Sequence, residues 1–251
     1  MQHTLVSHFG LISVAEWTGV PIASILDRLK TKPGASGVEI SGFDHYANPT
    51  MTSVPGSSWI FQLEELKSAG AFLATGMNGQ PLTRDHGAPI RLVVPGWYGC
   101  ACIKWVNHLT FVDDAVEASS QMREYAARTL QDGIPAQAKD YQSPTIDHAA
   151  MPVRLEKWSV AGKLKYRVVG VLWGGTQTVQ TMQIRFKPDE DFVPVKGFRQ
   201  IRNDPWTIWT HSWSPKAPDL YSIRLAIADP AVQSRKLDAG YYIRSVYVSE
   251  I

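Results

Sequence analysis

The sequence predicts an α+β fold class, with a mixed domain of helices and strands followed by a β-sandwich. The first half contains two segments with helical spacing of apolar residues, interspersed with strand-like segments. The second half is a succession of short alternating strands separated by turn residues. A polar stretch without periodicity lies between them, which places the predicted domains at residues 1–145 and 146–251.

The helices predicted for the first domain follow from the spacing of its apolar residues. In residues 17–30 these recur at i, i+3, i+4 and i+7, as in an amphipathic helix, with Pro21 in the first turn. The four residues are Ile22, Ile25, Leu26 and Leu29, and Thr18 or Gly19 would cap the helix. A second helix is predicted within residues 61–70, where Gly70 would end it. Strands separated by Asn-Gly and Pro-Gly turns are predicted at residues 70–79, 88–99 and 102–112.

The β-sandwich prediction rests on alternation along the later segments. Residues 221–228 show it most clearly, because every second residue is apolar, as expected for one face of a half-buried strand. These residues are Tyr221, Ile223, Leu225 and Ile227. We therefore expect a sandwich of roughly 100 residues, with no long helix after Met151. The polar residues 113–148 are predicted to form an active-site loop or short helix followed by a linker.

Composition and charge exclude several function classes. The 25 basic and 23 acidic residues are interspersed and give a formal net charge of +2. The chain therefore lacks the basic footprint of a protein that binds nucleic acid or an anionic membrane. Its start has no basic segment followed by an apolar stretch, and no run of about 18 apolar residues occurs. We expect a soluble chain without a membrane span, and its compartment stays open.

Cys100 and Cys102 are the only cysteines, and one residue separates them. Two cysteines cannot form a disulfide framework, and a single C-x-C pair lacks the second ligand pair of a structural zinc site. Small buried thiols that fill a strand are the simplest interpretation. A metal role and a redox pair are the alternatives.

The segment MNGQPLTRDHGAPIRLVVPGWYGCACIKW, residues 77–105, has the clearest chemical signature. It places His86, Arg91 and Lys104 near strand ends and glycine-rich turns. Cationic side chains that converge with exposed backbone N–H groups can bind a phosphate and the polar edge of a heterocycle. The structural alternative is that His86 satisfies a turn, Arg91 is a solvated edge residue, and the neighbouring Arg84 and Asp85 pair on the surface.

The pattern MNG-x-PL-x-RDHG-x-P-x-R-LVVPG-x-x-G, followed by KW, resembles the molybdopterin-binding segment of the sulfite oxidase family. The stretches LISVAEWTGVPIASIL and SGFD, before it in the chain, are also similar to that family. The resemblance implies a sulfite oxidase-type molybdopterin-binding domain and, after it, an immunoglobulin-like β-sandwich of the kind that mediates dimerisation. It implies a molybdenum-molybdopterin cofactor held by the side chains of Asp44, His86, Arg91 and Lys104 and by backbone groups of Cys102 and Ile103.

Two further residues match catalytic positions of the family. Tyr125 lies 21 residues after Lys104, where the family has a tyrosine whose hydroxyl hydrogen-bonds near the metal's oxo ligand; the alternative is that it packs with Met122. Arg235 precedes Arg244 by nine residues, like an arginine of the family that approaches the substrate anion. The alternative for Arg235 is an ordinary surface arginine.

The family binds molybdenum through a cysteine in a Cys-x-Gly-Asn-like loop, which would fall before Met1 here. We therefore expect an N-terminally truncated chain without a metal-ligating residue. The resemblance implies an enzyme that transfers an oxygen atom to sulfite or a similar small anion and passes electrons to a separate acceptor such as a cytochrome. The alternative is a non-catalytic fragment or relative that binds the cofactor or a partner.

Overall fold

The computed structural model describes residues 12–31, 33–44, 57–129, 131–235, 237 and 242–251. These residues form mostly β-strands, with a few short helices. They pack as two compact units, the first formed by Ala15–Thr145 and the second by Ile146–Ile251 together with residues 12–14, and each unit has its own hydrophobic core. Within the described residues, no helix has the length and hydropathy needed to cross a bilayer.

The first unit contains two small antiparallel sheets. One is formed by β1 (Trp17–Pro21), β4 (Phe72–Met77), β5 (Gln80–Pro81) and β6 (Arg91–Val93), with β4 paired to each of the other three. The other is formed by β2 (Gly37–Gly42), β3 (Ser57–Gln62) and β7 (Val106–Val112), with β2 in the middle. Their apolar residues enter one core, in which Ile40, Leu92 and Ile103 are almost completely buried.

The predicted helix over residues 17–30 is wrong in its first turn and in its length. Trp17–Pro21 is strand β1, and the helix α1 spans only Ile22–Leu26. The strand forms because it pairs with β4, and any side chain at Gly19 would overlap the Leu73 backbone. Leu29 is 46% exposed and therefore adds nothing to the predicted apolar face. Tertiary pairing overrides the local helical spacing here.

The second predicted helix is confirmed as α2, Leu63–Ser68, and Gly70 follows it with a φ of 65°. That left-handed conformation is the usual way a glycine terminates a helix. A third helix, α3, spans Ser120–Tyr125 within the polar stretch predicted as a loop or short helix. The Ser119 hydroxyl caps it by accepting a hydrogen bond from the Met122 amide at 3.2 Å.

The second unit consists of two antiparallel sheets. The three-stranded sheet contains β8 (Ala149–Val160), β9 (Lys163–Trp173) and β12 (Thr207–Trp213), with β9 in the middle. The four-stranded sheet has the order β11–β10–β13–β14, formed by β10 (Met182–Arg185), β11 (Val193–Pro194), β13 (Asp219–Ile227) and β14 (Arg244–Val248). No described residue after Met151 is helical, in agreement with the prediction. The predicted alternation is confirmed, because Tyr221, Ile223 and Leu225 are all buried.

Candidate functional site

A tight turn before β6 organises the candidate site. Arg84–His86 form one turn of 3-10 helix, and Gly87 leaves it with a φ of 99°, a conformation that glycine adopts without strain. A Cβ at Gly87 would lie 2.9 Å from the Cβ of Lys104, so the absence of a side chain also lets the turn approach Lys104 closely. The local sequence thus fixes both the direction of the chain and its distance from the lysine.

Each backbone carbonyl of this turn accepts a hydrogen bond from a side chain elsewhere in the first unit. The Arg84 carbonyl accepts from the indole Nε1 of Trp105 at 2.8 Å. The Asp85 carbonyl accepts from Lys104 Nζ at 3.1 Å, and the His86 carbonyl accepts from Arg91 Nη1 at 3.3 Å. The structure therefore brings three predicted site residues, His86, Arg91 and Lys104, around one turn, which we call the carbonyl turn.

Arg91 is held at the base of the carbonyl turn. Its Nη2 donates to the Cys102 carbonyl at 3.4 Å, and its guanidinium carbon lies 5.0 Å from the centroid of the Trp17 ring. Burial lowers the pKa of Arg91, although a guanidinium stays charged at any physiological pH. Its Nε is buried and has no hydrogen-bond partner among the described residues, and such an orphaned donor marks a place where a ligand could bind.

Lys104 is the second cation of the site. Its ammonium lies 4.5 Å from the centroid of the Trp105 ring. No carboxylate of the described residues lies within ion-pair distance of Lys104 or of Arg91. Within the described residues, the two positive charges therefore face carbonyl dipoles and indole rings and no carboxylate, an arrangement that favours an anion.

His86 and Asp44 lie on backbone segments that contact those of the two cations. The Nδ1 atom of His86 lies 2.7 Å from the Thr83 hydroxyl oxygen, and the imidazole is exposed. Asp44 follows the end of β2, where the Phe43 amide donates to the Trp105 carbonyl at 2.9 Å. A side chain at Gly42 would overlap the Lys104 carbonyl. The backbone that leads to Asp44 thus lies directly against the segment that carries Lys104.

Cys102 and Ile103 directly precede Lys104 and hydrogen-bond to neighbouring parts of the first unit through their backbone carbonyls. The Ile103 carbonyl accepts from the Leu92 amide at 2.7 Å, so it joins β6 to the segment that carries Lys104. The Cys102 sulfur lies 3.4 Å from the Val94 amide nitrogen, and burial raises the pKa of this thiol. A raised pKa opposes the thiolate form that binds metals. In the part of the chain that the structure describes, no three His, Cys, Asp or Glu side chains gather as metal ligands.

Tyr125 ends α3 and packs, half-buried, against the core that contains Met122. Its carbonyl accepts from both the amide and the hydroxyl of Thr129 at 3.0 Å. Helix α3 also hydrogen-bonds to the segment that precedes Lys104, because the Gln121 side-chain amide donates to the Cys100 carbonyl at 2.7 Å. Tyr125 therefore lies in the same unit as the carbonyl turn, and its catalytic role stays a prediction.

Arg235 belongs to the second unit. Its Nε lies 3.1 Å from a carboxylate oxygen of Asp147, a residue that is only 6% exposed. Its amide also donates to the His148 carbonyl at 2.9 Å. Burial raises the pKa of Asp147, while Arg235 opposes that rise. The structure gives Arg235 a buried ion-pair partner, which neither sequence-based interpretation foresaw.

The two tryptophans of the site, Trp17 and Trp105, were missed by the sequence analysis. Both lie within the segments that carry the family resemblance, and Trp105 directly follows Lys104. A local pattern does not tell which ring faces which cation, because Trp17 and Arg91 are far apart in sequence and meet through the pairing of β1 and β6 with β4.

Comparison with known proteins identifies the family that the first unit matches. Residues 2–120 match the family described as oxidoreductase molybdopterin binding domain. The mitochondrial sulfite oxidase of Macaca fascicularis is 27% identical over 220 residues, which cover 80% of this chain and 38% of that protein. The NADPH nitrate reductase of Fusarium oxysporum is 36% identical over 103 residues, 41% of this chain and 11% of that protein. The chain thus spans well under half the length of these relatives.

A solved structure extends the likeness to the fold. The sulfane dehydrogenase SoxCD from Paracoccus pantotrophus has a TM-score of 0.63 and 20% identity, and the match covers 94% of this chain and 63% of that chain. The residues that match the family model include the carbonyl turn, Arg91, Lys104 and Asp44. The family match places a molybdopterin-binding domain of the oxidoreductase type at residues 2–120, the chain is similar to sulfite oxidase and nitrate reductase, and it shares the fold of the sulfane dehydrogenase.

Proposed function

We propose that this chain is the cofactor-binding part of a molybdenum-molybdopterin oxidoreductase that transfers an oxygen atom to sulfite or a similar small anion. The observation that carries the proposal is the carbonyl turn, which gathers His86, Arg91 and Lys104 with no neutralising carboxylate from the part of the chain that the structure describes. Two cations in such a setting match the phosphate and the polar ring edge of a pterin.

The residues present fit the pterin part of the cofactor. The buried Nε of Arg91 lacks a partner among the described residues, and the Lys104 ammonium gives one of its three donors to the Asp85 carbonyl. Asp44 would accept hydrogen bonds from the amino groups of the ring, and His86 would contact its polar edge. When bound, the cofactor supplies the two-electron redox centre, while the protein binds and orients it.

A thiolate is the protein ligand that such a metal prefers. The Cys102 carbonyl accepts a hydrogen bond from Arg91, and burial of the Cys102 thiol favours its protonated form. This observation favours a second candidate function, in which the chain binds the cofactor or a partner without catalysing turnover.

Tyr125 and Arg235 are the proposed catalytic residues of the first candidate function. The Tyr125 hydroxyl would hold a proton near the reacting oxygen. Arg235 would bind the substrate anion through its guanidinium, whose planar geometry matches an oxyanion. Both roles rest on the family resemblance.

The proposed partners are a separate electron acceptor such as a cytochrome and a second copy of the chain. Dimerisation would use the second unit, which we propose to be immunoglobulin-like. Tyr221 supports this assignment, because its hydroxyl donates to the Ala217 carbonyl at 2.8 Å and accepts from the Ala217 amide at 3.3 Å. A tyrosine bonded to backbone a few residues upstream is a hallmark of immunoglobulin-like sandwiches.

Cofactor binding can be tested by expressing the chain in a host that makes molybdopterin and measuring pterin and molybdenum per chain. We expect bound pterin in the unaltered chain and a loss of about a hundredfold in affinity in Arg91→Met/Lys104→Met, because two charge-assisted contacts are removed. Arg28→Met/Lys30→Met is the matched control, since both residues are exposed and lie outside the site.

The same preparations separate the two candidate functions. Pterin with rapid sulfite oxidation would support the enzyme, whereas pterin without turnover would support the non-catalytic candidate. Equal pterin in the site variant and the control variant would refute the proposed site.

A further inference from the structure

The two cations of the site rest on tryptophan rings. The guanidinium carbon of Arg91 lies 5.0 Å from the Trp17 centroid, and the Lys104 ammonium lies 4.5 Å from the Trp105 centroid. Other contacts of these cations are hydrogen bonds to backbone carbonyls. This differs from cations such as Lys67, which is paired with a carboxylate.

An indole face and a carboxylate hold a cation in different ways. The indole attracts the charge through its quadrupole and carries no net charge, so the cation keeps its full charge for a ligand. A carboxylate would compete with an anionic ligand for the same N–H donors. Tryptophan therefore suits a cation that must be fixed in place and remain available to an anion.

Trp105 is itself held from several sides. Its φ is 52°, an unusual conformation for a bulky residue, so the surroundings must define it. Its indole N–H donates to the Arg84 carbonyl at 2.8 Å, and its amide donates to the Gly87 carbonyl at 3.3 Å. The ring beneath Lys104 thus has one defined orientation relative to the carbonyl turn.

We propose that Trp17 and Trp105 are positioning residues that hold Arg91 and Lys104 in place for the anionic group of the cofactor. The inference rests on the proposed function, because it takes molybdopterin as the ligand. It assigns the tryptophans no contact with the cofactor; they act through the cations.

The packing is tested first without cofactor, by NMR of the full chain. A proton above an indole face experiences a ring current, so we expect the Lys104 Hε signals to be shifted upfield in the unaltered chain and to return toward ordinary values in Trp105→Leu. Trp105→Phe keeps a ring at this position and should keep part of the shift. Unshifted Lys104 signals in the unaltered chain would overturn the inference, whatever the cofactor result.

The effect on binding is tested by titrating each variant with molybdopterin and measuring bound pterin. We expect Trp105→Leu to weaken binding about tenfold and Trp105→Phe to restore most of that loss. In a Lys104→Met background the tryptophan substitution should have no further effect, because Trp105 acts through Lys104. The matched control is Trp158→Leu, because the Trp158 ring also lies against a cation: its centroid is 5.5 Å from the guanidinium carbon of Arg167. Both residues belong to the second unit, so this substitution should not affect pterin binding.

These outcomes distinguish a failure of the positioning role from a failure of the proposed function. An equal loss of binding from Trp105→Leu with and without Lys104 would show a merely structural role and would overturn the positioning inference alone. An unaltered chain with shifted Lys104 signals that binds no molybdopterin would refute the proposed function, and with it the role assigned to the tryptophans.

Discussion

Arg235→Met should destabilise the second unit, because it would leave Asp147 buried without its ion-pair partner. The Asp147 side chain is 6% exposed, and its carboxylate oxygen lies 3.1 Å from Arg235 Nε. Burial already raises the pKa of Asp147, and the positive charge of Arg235 is the main influence that lowers it. The arginine therefore offsets a desolvation cost that the unfolded chain does not have.

The size of the effect follows from the burial of the pair. Removing one partner of a fully buried ion pair costs roughly 3–5 kcal/mol. The Arg235 side chain is 27% exposed, so solvent screening reduces the expected loss to about 2 kcal/mol. For a unit of this size, such a loss lowers the thermal midpoint by roughly 10 °C.

The two units must be measured separately, since a protein with two units need not unfold in one step. Hydrogen exchange resolved by peptide does this, with β8 and β9 reporting on the second unit and β2 and β3 on the first. Asp147→Asn/Arg235→Met should recover part of the loss, because the amide carries no charge. Unchanged exchange in β8 and β9 of Arg235→Met, accompanied by a fall in turnover, would refute the structural role and favour the substrate role.

Two further predictions concern pH and the carbonyl turn. Burial, followed by the charge of Lys196, lowers the pKa of His211 below its ordinary 6.5. Between the folded and unfolded pKa values, the unfolded chain therefore binds a proton at His211 that the folded chain does not bind. The free energy of unfolding should be highest above pH 6.5 and should fall below that pH by at most about 1.4 kcal/mol per pH unit. The fall should stop once the pH is below the folded pKa. His211→Leu should flatten this slope in urea unfolding between pH 5 and 8, and an unchanged slope would assign the dependence to another group. Gly87→Ala should lower both stability and pterin binding more than Gly96→Ala, because both glycines have positive φ but only Gly87 has Lys104 within 4 Å of an added Cβ; equal losses would show that close approach does not matter.

Strand β13 of the second unit could be predicted because its residues alternate between buried and more exposed positions. Tyr221, Ile223 and Leu225 alternate in the sequence and are 3%, 1% and 2% exposed in the structure. Residues 17–21 could not be predicted in this way, because their strand conformation depends on pairing with β4, far along the chain. The spacing of apolar residues predicts which face of a segment is buried, but it does not predict which other strand will pair with the segment's backbone.

In the candidate site, too, some residues could be predicted from the sequence and others could not. His86, Arg91 and Lys104 were identified from one contiguous motif, and the structure gathers them around one turn. Trp17 and Asp147 became visible only in three dimensions, since each meets its arginine across a long sequence separation. Sequence reasoning found the charged groups; the neighbours that hold these groups depend on tertiary packing.

The carbonyl turn has a consequence for how the site responds to a ligand. Its three carbonyls belong to consecutive residues, Arg84, Asp85 and His86, so reorientation of one peptide unit changes the geometry of its neighbours. A ligand that draws the Lys104 ammonium toward itself therefore pulls on the same peptide units that hold Arg91 and the Trp105 indole. The site should tighten or loosen as one body, and amides at positions 86–88, which bond within the turn, should exchange with solvent through a single shared opening.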